Sequence, residues 1–362
     1  MSEFILPITE IFIGIFLLFV GGEFFIQGSV ALSLVLGIPQ IVIGLTVVAL
    51  GTSSPELLVS LNSIFKGSDG LAVSNVIGSN IFNILVVLGI SSLIRPLKVK
   101  SRIVRRDVPL LIAISCSVWA MSSTGLLTWQ AGIFLLLCLF INTIWEINTI
   151  NEKDEDIKTA EPEINDSLLN RNITNILIKL FFGILLLGIG SHILVNGSKS
   201  LAILMGINET IIGLTIVATG TSLPELVTSI IAAFKGKTDL AIGNVIGSNL
   251  LNQLLILGSC SIFSGIKGLI INSDLIKTDL PIMVLTTFAC MPIFWTKGKI
   301  TRSEGLLLIN IYIFYVFDKL LTLSNFELIK EFRLLMLISC SILVIVLFSK
   351  NKFNFTSFKS ST

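Results

Sequence analysis

Apolar residues along this 362-residue chain come in blocks of membrane-spanning length, separated by short polar turns. A span needs about 20 mostly apolar residues. The blocks predict spans near 5–35, 40–65, 70–94, 108–123 and 128–147. A second set follows near 173–204, 209–234, 239–263, 278–296 and 303–322, with one more near 330–349. Residues 148–172, NTINEKDEDIKTAEPEINDSLLNRN, are the one long polar stretch and read as a linker too short to fold as a domain. The chain thus divides into a first transmembrane repeat (1–147), a cytoplasmic linker (148–172), a second repeat (173–322), and an extra helix with a cytoplasmic tail (323–362).

Within these blocks the polar positions recur. Residues 44–66, GLTVVALGTSSPELLVSLNSIFK, match 213–235, GLTIVATGTSLPELVTSIIAAFK, at 14 of 23 positions. Residues 71–89, LAVSNVIGSNIFNILVVLG, match 240–258, LAIGNVIGSNLLNQLLILG, at 12 of 19. Both pairs lie at one offset of 169 residues. Five spans separate the copies, and an odd number reverses direction across the membrane. The predicted fold is an all-α membrane protein of two inverted five-helix repeats, plus an eleventh helix at the C-terminus. Inverted repeats with broken, polar spans at equivalent positions are the sequence pointer to a transporter site near the bilayer midplane.

Composition agrees with this picture. Hydrophobic residues make up 53% of the chain and charged ones 13%, against about 25% charged in soluble domains. A net charge of +2 offers no footprint for nucleic acid. The first residues, MSEFILPITEIF, lack a basic stretch ahead of the apolar run, so the first span is expected to be retained and not cleaved as a signal. The five cysteines (116, 138, 260, 290, 340) lie in apolar segments without CxxC spacing, which points to core filling and not to disulfides or zinc. Arg95, Lys98, Lys100, Arg102, Arg105 and Arg106, with Lys153, Lys158, Arg171, Lys235, Lys237, Lys297, Lys299, Arg302, Lys350, Lys352 and Lys359, fall on one side of this topology. Only Lys66, Lys267, Lys277, Lys319, Lys330 and Arg333 fall on the other. The positive-inside rule therefore places the N-terminus outside and the C-terminus in the cytoplasm.

The repeated motifs carry oxygen chemistry. Pro55 has no N–H and clashes with the carbonyl of Gly51, so a kink with free carbonyls is expected around Ala49–Gly51. Bare carbonyls at membrane depth must be satisfied by something, and a dehydrated Na⁺ or Ca²⁺ would do so. Thr52 and Glu56 share a helix face, with Ser53 beside them; Ala218, Gly220, Thr221, Ser222, Pro224 and Glu225 repeat the arrangement. Asn75, Ser79 and Asn83, and again Asn244, Ser248 and Asn252, form polar stripes at a spacing of four. Carboxylates, hydroxyls, amide oxygens and carbonyls suit hard cations, and no Cys or His joins them. Two carboxylates match one Ca²⁺ or two or more Na⁺, with protonation as a third state, and a site that must always be filled favours exchange over leak. For a single Ser or Thr the alternative is a hydroxyl bonded back to its own helix. Glu23 and His192 occupy equivalent places; a Glu–His pair across the pseudo-symmetry axis is one reading, and two side chains facing separate polar crevices is the other.

GTSSPE with GSNIFN, and GTSLPE with GSNLLN, resemble the paired alpha-repeats of the sodium/calcium exchanger (cation/calcium antiporter) superfamily, in its compact prokaryotic form. The resemblance covers roughly residues 5–320. It implies ten core helices in two inverted repeats, a central calcium position flanked by sodium positions, and a prokaryotic cytoplasmic membrane. It further implies that Glu56 and Glu225 bind Ca²⁺ through both oxygens, together with the Thr52 and Thr221 carbonyls, and are shared with Na⁺. Ala49, Ser53, Ser79, Ala218, Ser222 and Ser248 are the implied sodium ligands, with Asn83 and Asn252 lining the middle site. Transport would alternate as the first and sixth helices slide over the core. The family commonly has Asp where this chain has Asn252, leaving two carboxylates and not three.

The expected function is Na⁺/Ca²⁺ antiport by alternating access, without an enzymatic activity or a cofactor. The expected partners are small cations and the lipid bilayer. A proton-coupled divalent-cation exchanger on the same scaffold and a passive cation channel are the alternatives.

Overall fold

A computed structural model describes residues 2–150, 173–206, 218–295 and 298–323, and Arg333. The linker beyond Ile150, the start of the span near 209–234, the span near 330–349 and the tail lie outside the described residues.

The first half holds α1 (Ser2–Leu36), α2 (Gln40–Thr52), α3 (Ser54–Phe65), α4 (Asp69–Ile94), the strand β1 (Leu97–Lys98), α5 (Val108–Ser122), β2 (Leu126–Leu127) and α6 (Trp129–Ile150). The second holds α7 (Ile173–Leu204), α8 (Ala218–Gly220), α9 (Leu223–Phe234), α10 (Thr238–Phe263), β3 (Leu269–Ile270), α11 (Leu275–Trp295), β4 (Lys299–Ile300) and α12 (Arg302–Leu323). Among the described residues seven helices are long and apolar enough to cross a membrane, and the bent pair α2–α3 makes an eighth. Helix α6 continues to Ile150, into the segment read from sequence as linker.

Local sequence explains the breaks. Pro39 starts α2, and Pro55 sits in the first turn of α3, where its missing N–H costs nothing. The α2–α3 axis bends by 44° at Ser53. Both polar half-helices end on a left-handed glycine, Gly67 (φ 70°) after α3 and Gly236 (φ 74°) after α9. Wide π-turns lie inside the spans at Gly44–Val48, Asn83–Val87 and Asn252–Leu257; such turns recur at functional sites.

Helices α4 and α10 form the centre of the molecule and are the most enclosed of the spans. The long helices α1 and α7 pack along each other, largely exposed on their outer faces. Their seam is glycine: Gly14, Gly21 and Gly28 on α1 meet α7, and Gly183, Gly190 and Gly197 on α7 meet α1. A Cβ on Gly14 would lie 2.7 Å from Leu194 and 2.8 Å from the Gly190 carbonyl. One on Gly197 would lie 2.8 Å from the Pro7 carbonyl, so the helices run antiparallel. Close approach at small residues is how helices gain packing in lipid, where no hydrophobic drive brings them together.

Two strand pairs clasp the halves. β1 pairs antiparallel with β4, Leu97 opposite Ile300, and β2 pairs antiparallel with β3, Leu126 opposite Ile270. β1 precedes α5 and β2 follows it; β3 precedes α11 and β4 follows it. The clasps therefore sit at opposite ends of α5 and α11, and these equivalent helices run antiparallel, as an inverted pair must. The two-residue strands are too short to leave a periodicity in the sequence.

Candidate cation site

The motifs meet where the broken helices cross α4 and α10. Glu56 and Glu225 both lie in the first turn of a half-helix, α3 and α9, and both are fully buried. A helix N-terminus carries partial positive charge and favours a carboxylate there. The ends of α2 and α8 come to the same breaks from the other side, presenting carbonyls. A crossing of this kind sets anions held by helix N-termini beside the carbonyl ends of the preceding helices.

The hydrogen bonds cross from one half to the other. Ser222 Oγ donates to Glu56 Oε1 at 2.9 Å, and Ser53 Oγ donates to Glu225 Oε1 at 3.0 Å. Thr221 Oγ1 donates to Asn75 Oδ1 at 3.1 Å, and Thr52 Oγ1 donates to Asn244 Oδ1 at 3.0 Å. Asn75 in turn donates to Ser60 Oγ at 3.0 Å, and Asn244 to Ser229 Oγ at 2.9 Å. Each half's GTS hydroxyls are thus tied to the other half's carboxylate and amide.

What is left over is mostly acceptor oxygen. Glu56 Oε2, Glu225 Oε2, Ser79 Oγ, Asn83 Oδ1 and Asn252 Oδ1 are buried with no hydrogen-bond partner among the described residues. An unpartnered buried acceptor costs about 1–3 kcal/mol, more when charged. A dehydrated cation would remove that cost for any of these oxygens it could reach. Among the described residues no three His, Cys, Asp or Glu side chains gather at one point. The donor set is two carboxylates amid neutral oxygens.

The structure brings Thr52, Ser53, Glu56, Ser79, Asn83, Ser222, Glu225, Ser248 and Asn252 into the buried interior, with Thr221 half-buried at the α8–α9 break. Thr52 Oγ1 and Ser248 Oγ are 3.5 Å apart. Ala49 is buried on α2, and Ala218 opens α8. The expectation of free carbonyls at Ala49–Gly51 needs a correction: the Ala49 carbonyl accepts from the Ser53 N–H at 2.9 Å, because the helix closes one more turn before the break. The Gly51 carbonyl is the one to which Pro55 has no N–H to give. Its counterpart, Gly220, accepts the Ser191 hydroxyl of α7 at 2.5 Å, whereas the residue equivalent to Ser191 on α1 is Gly22.

The Glu23–His192 pairing is also corrected. Glu23 forms an ion pair with Lys235 and accepts from Gln27 at 2.6 Å, while His192 is bonded to Asn196 on its own helix at 3.0 Å. Antiparallel packing of α1 on α7 leaves the two at different levels. Sequence reasoning also passed over Asn80 and Asn249. The Asn249 amide donates to the Asn80 carbonyl at 3.2 Å and the reverse bond spans 3.5 Å, stapling α4 to α10. Asn252 donates to Asn80 Oδ1 at 3.0 Å. The signal was present, since this Asn is repeated in both GSN motifs.

Known proteins place the fold in context. The family description "Sodium/calcium exchanger protein" matches residues 8–147 and 176–321. The sodium/calcium exchanger MaX1 of Methanosarcina acetivorans is 30% identical over 337 residues, covering 84% of this chain and 95% of its own. The inner membrane protein YrbG of Escherichia coli K12 is 30% identical over 322 residues, covering 86% and 96%. The solved sodium-calcium exchanger NCX_Mj, soaked with Na⁺ and Ca²⁺, superposes with a TM-score of 0.72 at 29% identity, over 85% of this chain and 97% of its own. The chain is a multi-pass membrane protein that belongs to the sodium/calcium exchanger family.

Proposed function

We propose that this exchanger carries Na⁺ in one direction and Ca²⁺ in the other by alternating access, with both ions using Glu56 and Glu225. The observation that supports this most is the pair of fully buried carboxylates, each holding one oxygen by a serine of the opposite half and keeping the other unpartnered. One Ca²⁺ balances two carboxylates, as do two Na⁺. An empty site leaves two bare anions at membrane depth, and that penalty opposes return of the unloaded carrier. Coupling follows from it.

In this reading Ca²⁺ takes Glu56 and Glu225 with the Thr52 and Thr221 carbonyls. Na⁺ takes Ala49, Ser53, Ser79, Ala218, Ser222 and Ser248 in addition to the shared glutamates, and Asn83 and Asn252 line the space between. The glycine seam joins α1 and α7 into one unit, suited to sliding over the α4–α10 core. The N-terminus faces outward, and the repeats run over 1–147 and 173–322, joined by a cytoplasmic linker at 148–172.

Radiolabelled Ca²⁺ uptake into proteoliposomes tests this. Uptake driven by an outward Na⁺ gradient is the expected result. Uptake driven by a pH gradient alone would establish proton coupling instead, and single-channel currents in a planar bilayer would establish a pore.

A further inference from the structure

Asn80 and Asn83 of α4, with Asn249 and Asn252 of α10, are fully buried in the central helices. Asn80 is equivalent to Asn249, and Asn83 to Asn252, at the repeat offset of 169 residues. Their hydrogen bonds are not equivalent. Asn252 Nδ2 donates to Asn80 Oδ1 at 3.0 Å. The mirror bond would run from Asn83 Nδ2 to Asn249 Oδ1, yet both of those atoms are buried without a hydrogen-bond partner among the described residues.

A planar side-chain amide has a donor end and an acceptor end. The Nδ2 end of Asn80 faces two acceptors, the Asn249 carbonyl at 3.5 Å and Met283 Sδ at 3.6 Å. Asn80 Oδ1 is therefore the end turned to Asn252, and it accepts only the NH₂ end of that side chain. Asn252 Oδ1, at the other end of the same amide, is left buried and unpartnered. Asn83 has neither end held.

On the reading that Asn252 lines the cation site, we infer that Asn80 is a positioning residue: by holding the NH₂ end of Asn252 it presents Asn252 Oδ1 to the transported ion. A freely turning amide would spend part of its time with N–H dipoles toward the cation, which repel it. Asn80 removes that orientation before the ion arrives, so the ordering is not charged against binding. The two equivalent asparagines thus differ: residue 252 is set in advance, and the ion itself must orient residue 83.

Asn80 also accepts the Asn249 amide on its backbone carbonyl, so a purely structural role in joining α4 to α10 has to be separated. A double-mutant cycle does this, read as the Na⁺ concentration giving half-maximal Na⁺-driven uptake of radiolabelled Ca²⁺ by the full-length protein in proteoliposomes. Asn80→Leu is expected to raise that concentration about fivefold, the equilibrium factor for one ordinary hydrogen bond. Asn252→Ala is expected to raise it in wild type and to add nothing in the Asn80→Leu background. Asn80→Asp keeps an acceptor oxygen toward Asn252, so Asn252→Ala should there cost the same factor as in wild type; the added charge is common to both members of that comparison. Asn249→Leu and Asn83→Ala should act independently, because their mirror bond is not made. The inference is overturned if Asn252→Ala is silent in wild type, if it costs as much in Asn80→Leu as in wild type, if it costs nothing in Asn80→Asp, or if the mirror pair is coupled to the same degree. Should Asn80→Leu not fold, the Asn80→Asp and mirror comparisons still decide. Wild-type uptake that ignores Na⁺ would be a different failure, that of the exchange reading itself.

Discussion

Ser222 of the second half donates its hydroxyl to Glu56 of the first at 2.9 Å, and Ser53 repays the contact on Glu225 at 3.0 Å. A hydrogen bond to a charged group is worth about 1.5–3 kcal/mol. Ser222→Ala and Ser53→Ala should therefore each weaken cation binding by roughly ten- to a hundredfold. The expected pattern is a fall in apparent Na⁺ affinity in uptake assays, similar for the two variants because the contacts are equivalent. An effect from one serine alone would contradict the symmetric reading of the site.

Asn252 is buried in α10 where the π-turn begins. A carboxylate placed there would add a third buried acid to the site, and an acid attracts cations only in its ionised form. It would gain charge, and attraction for cations, only as pH rises. Asn252→Asp should make apparent Ca²⁺ affinity depend more steeply on pH, improving toward alkaline pH. Initial uptake rates across a pH series would show it, and a profile unchanged from wild type would count against Asn252 lining the site.

The glycine seam should tolerate little. A Cβ on Gly21 would lie 2.8 Å from Leu186 and one on Gly190 would lie 2.8 Å from the Leu18 backbone. Overpacking typically costs about 1–3 kcal/mol. Gly190→Leu should lower the thermal midpoint of the purified protein, whereas Gly188→Leu, whose added Cβ meets nothing within 4 Å, should not. Equal midpoints would show that α1 and α7 do not rely on close approach.

Ser191 breaks the symmetry of the repeats by holding the Gly220 carbonyl, a role that Gly22 cannot fill for Gly51. Ser191→Ala should cost about 1 kcal/mol if that carbonyl is left bare. It should also alter Na⁺ affinity, because a carbonyl released beside Thr221 becomes available to an ion. Unchanged thermal midpoint and unchanged affinity together would reduce the bond to a packing detail.

Much of this architecture was legible because polar residues in lipid are costly and therefore sparse. Glu56, Pro55 and the GSN triplet stand out against apolar runs, and their duplication fixed both the repeat and the side chains that meet. Helix-length blocks match α1, α4, α7, α10, α11 and α12 to within a few residues, while the start of the block near 209–234 and the block near 330–349 lie outside the described residues. The sequence was silent where geometry depends on partners distant in the chain. The β1–β4 and β2–β3 clasps are too short to show a period. The ion pair of Glu23 with Lys235 links positions that no local pattern connects, and the Ala49 carbonyl's bond depends on where the helix closes before Ser53. The π-turns at Asn83–Val87 and Asn252–Leu257 have no residue type of their own that marks them in the sequence.

The central claim is that one pair of carboxylates serves both ions. The direct measurement is Ca²⁺ uptake into proteoliposomes against an outward Na⁺ gradient, for wild type beside Glu56→Gln and Glu225→Gln, with each variant first shown to be folded by its thermal midpoint. The account predicts Na⁺-dependent uptake in wild type and its loss in both variants. Uptake that needs no Na⁺, or that survives either substitution, would contradict it.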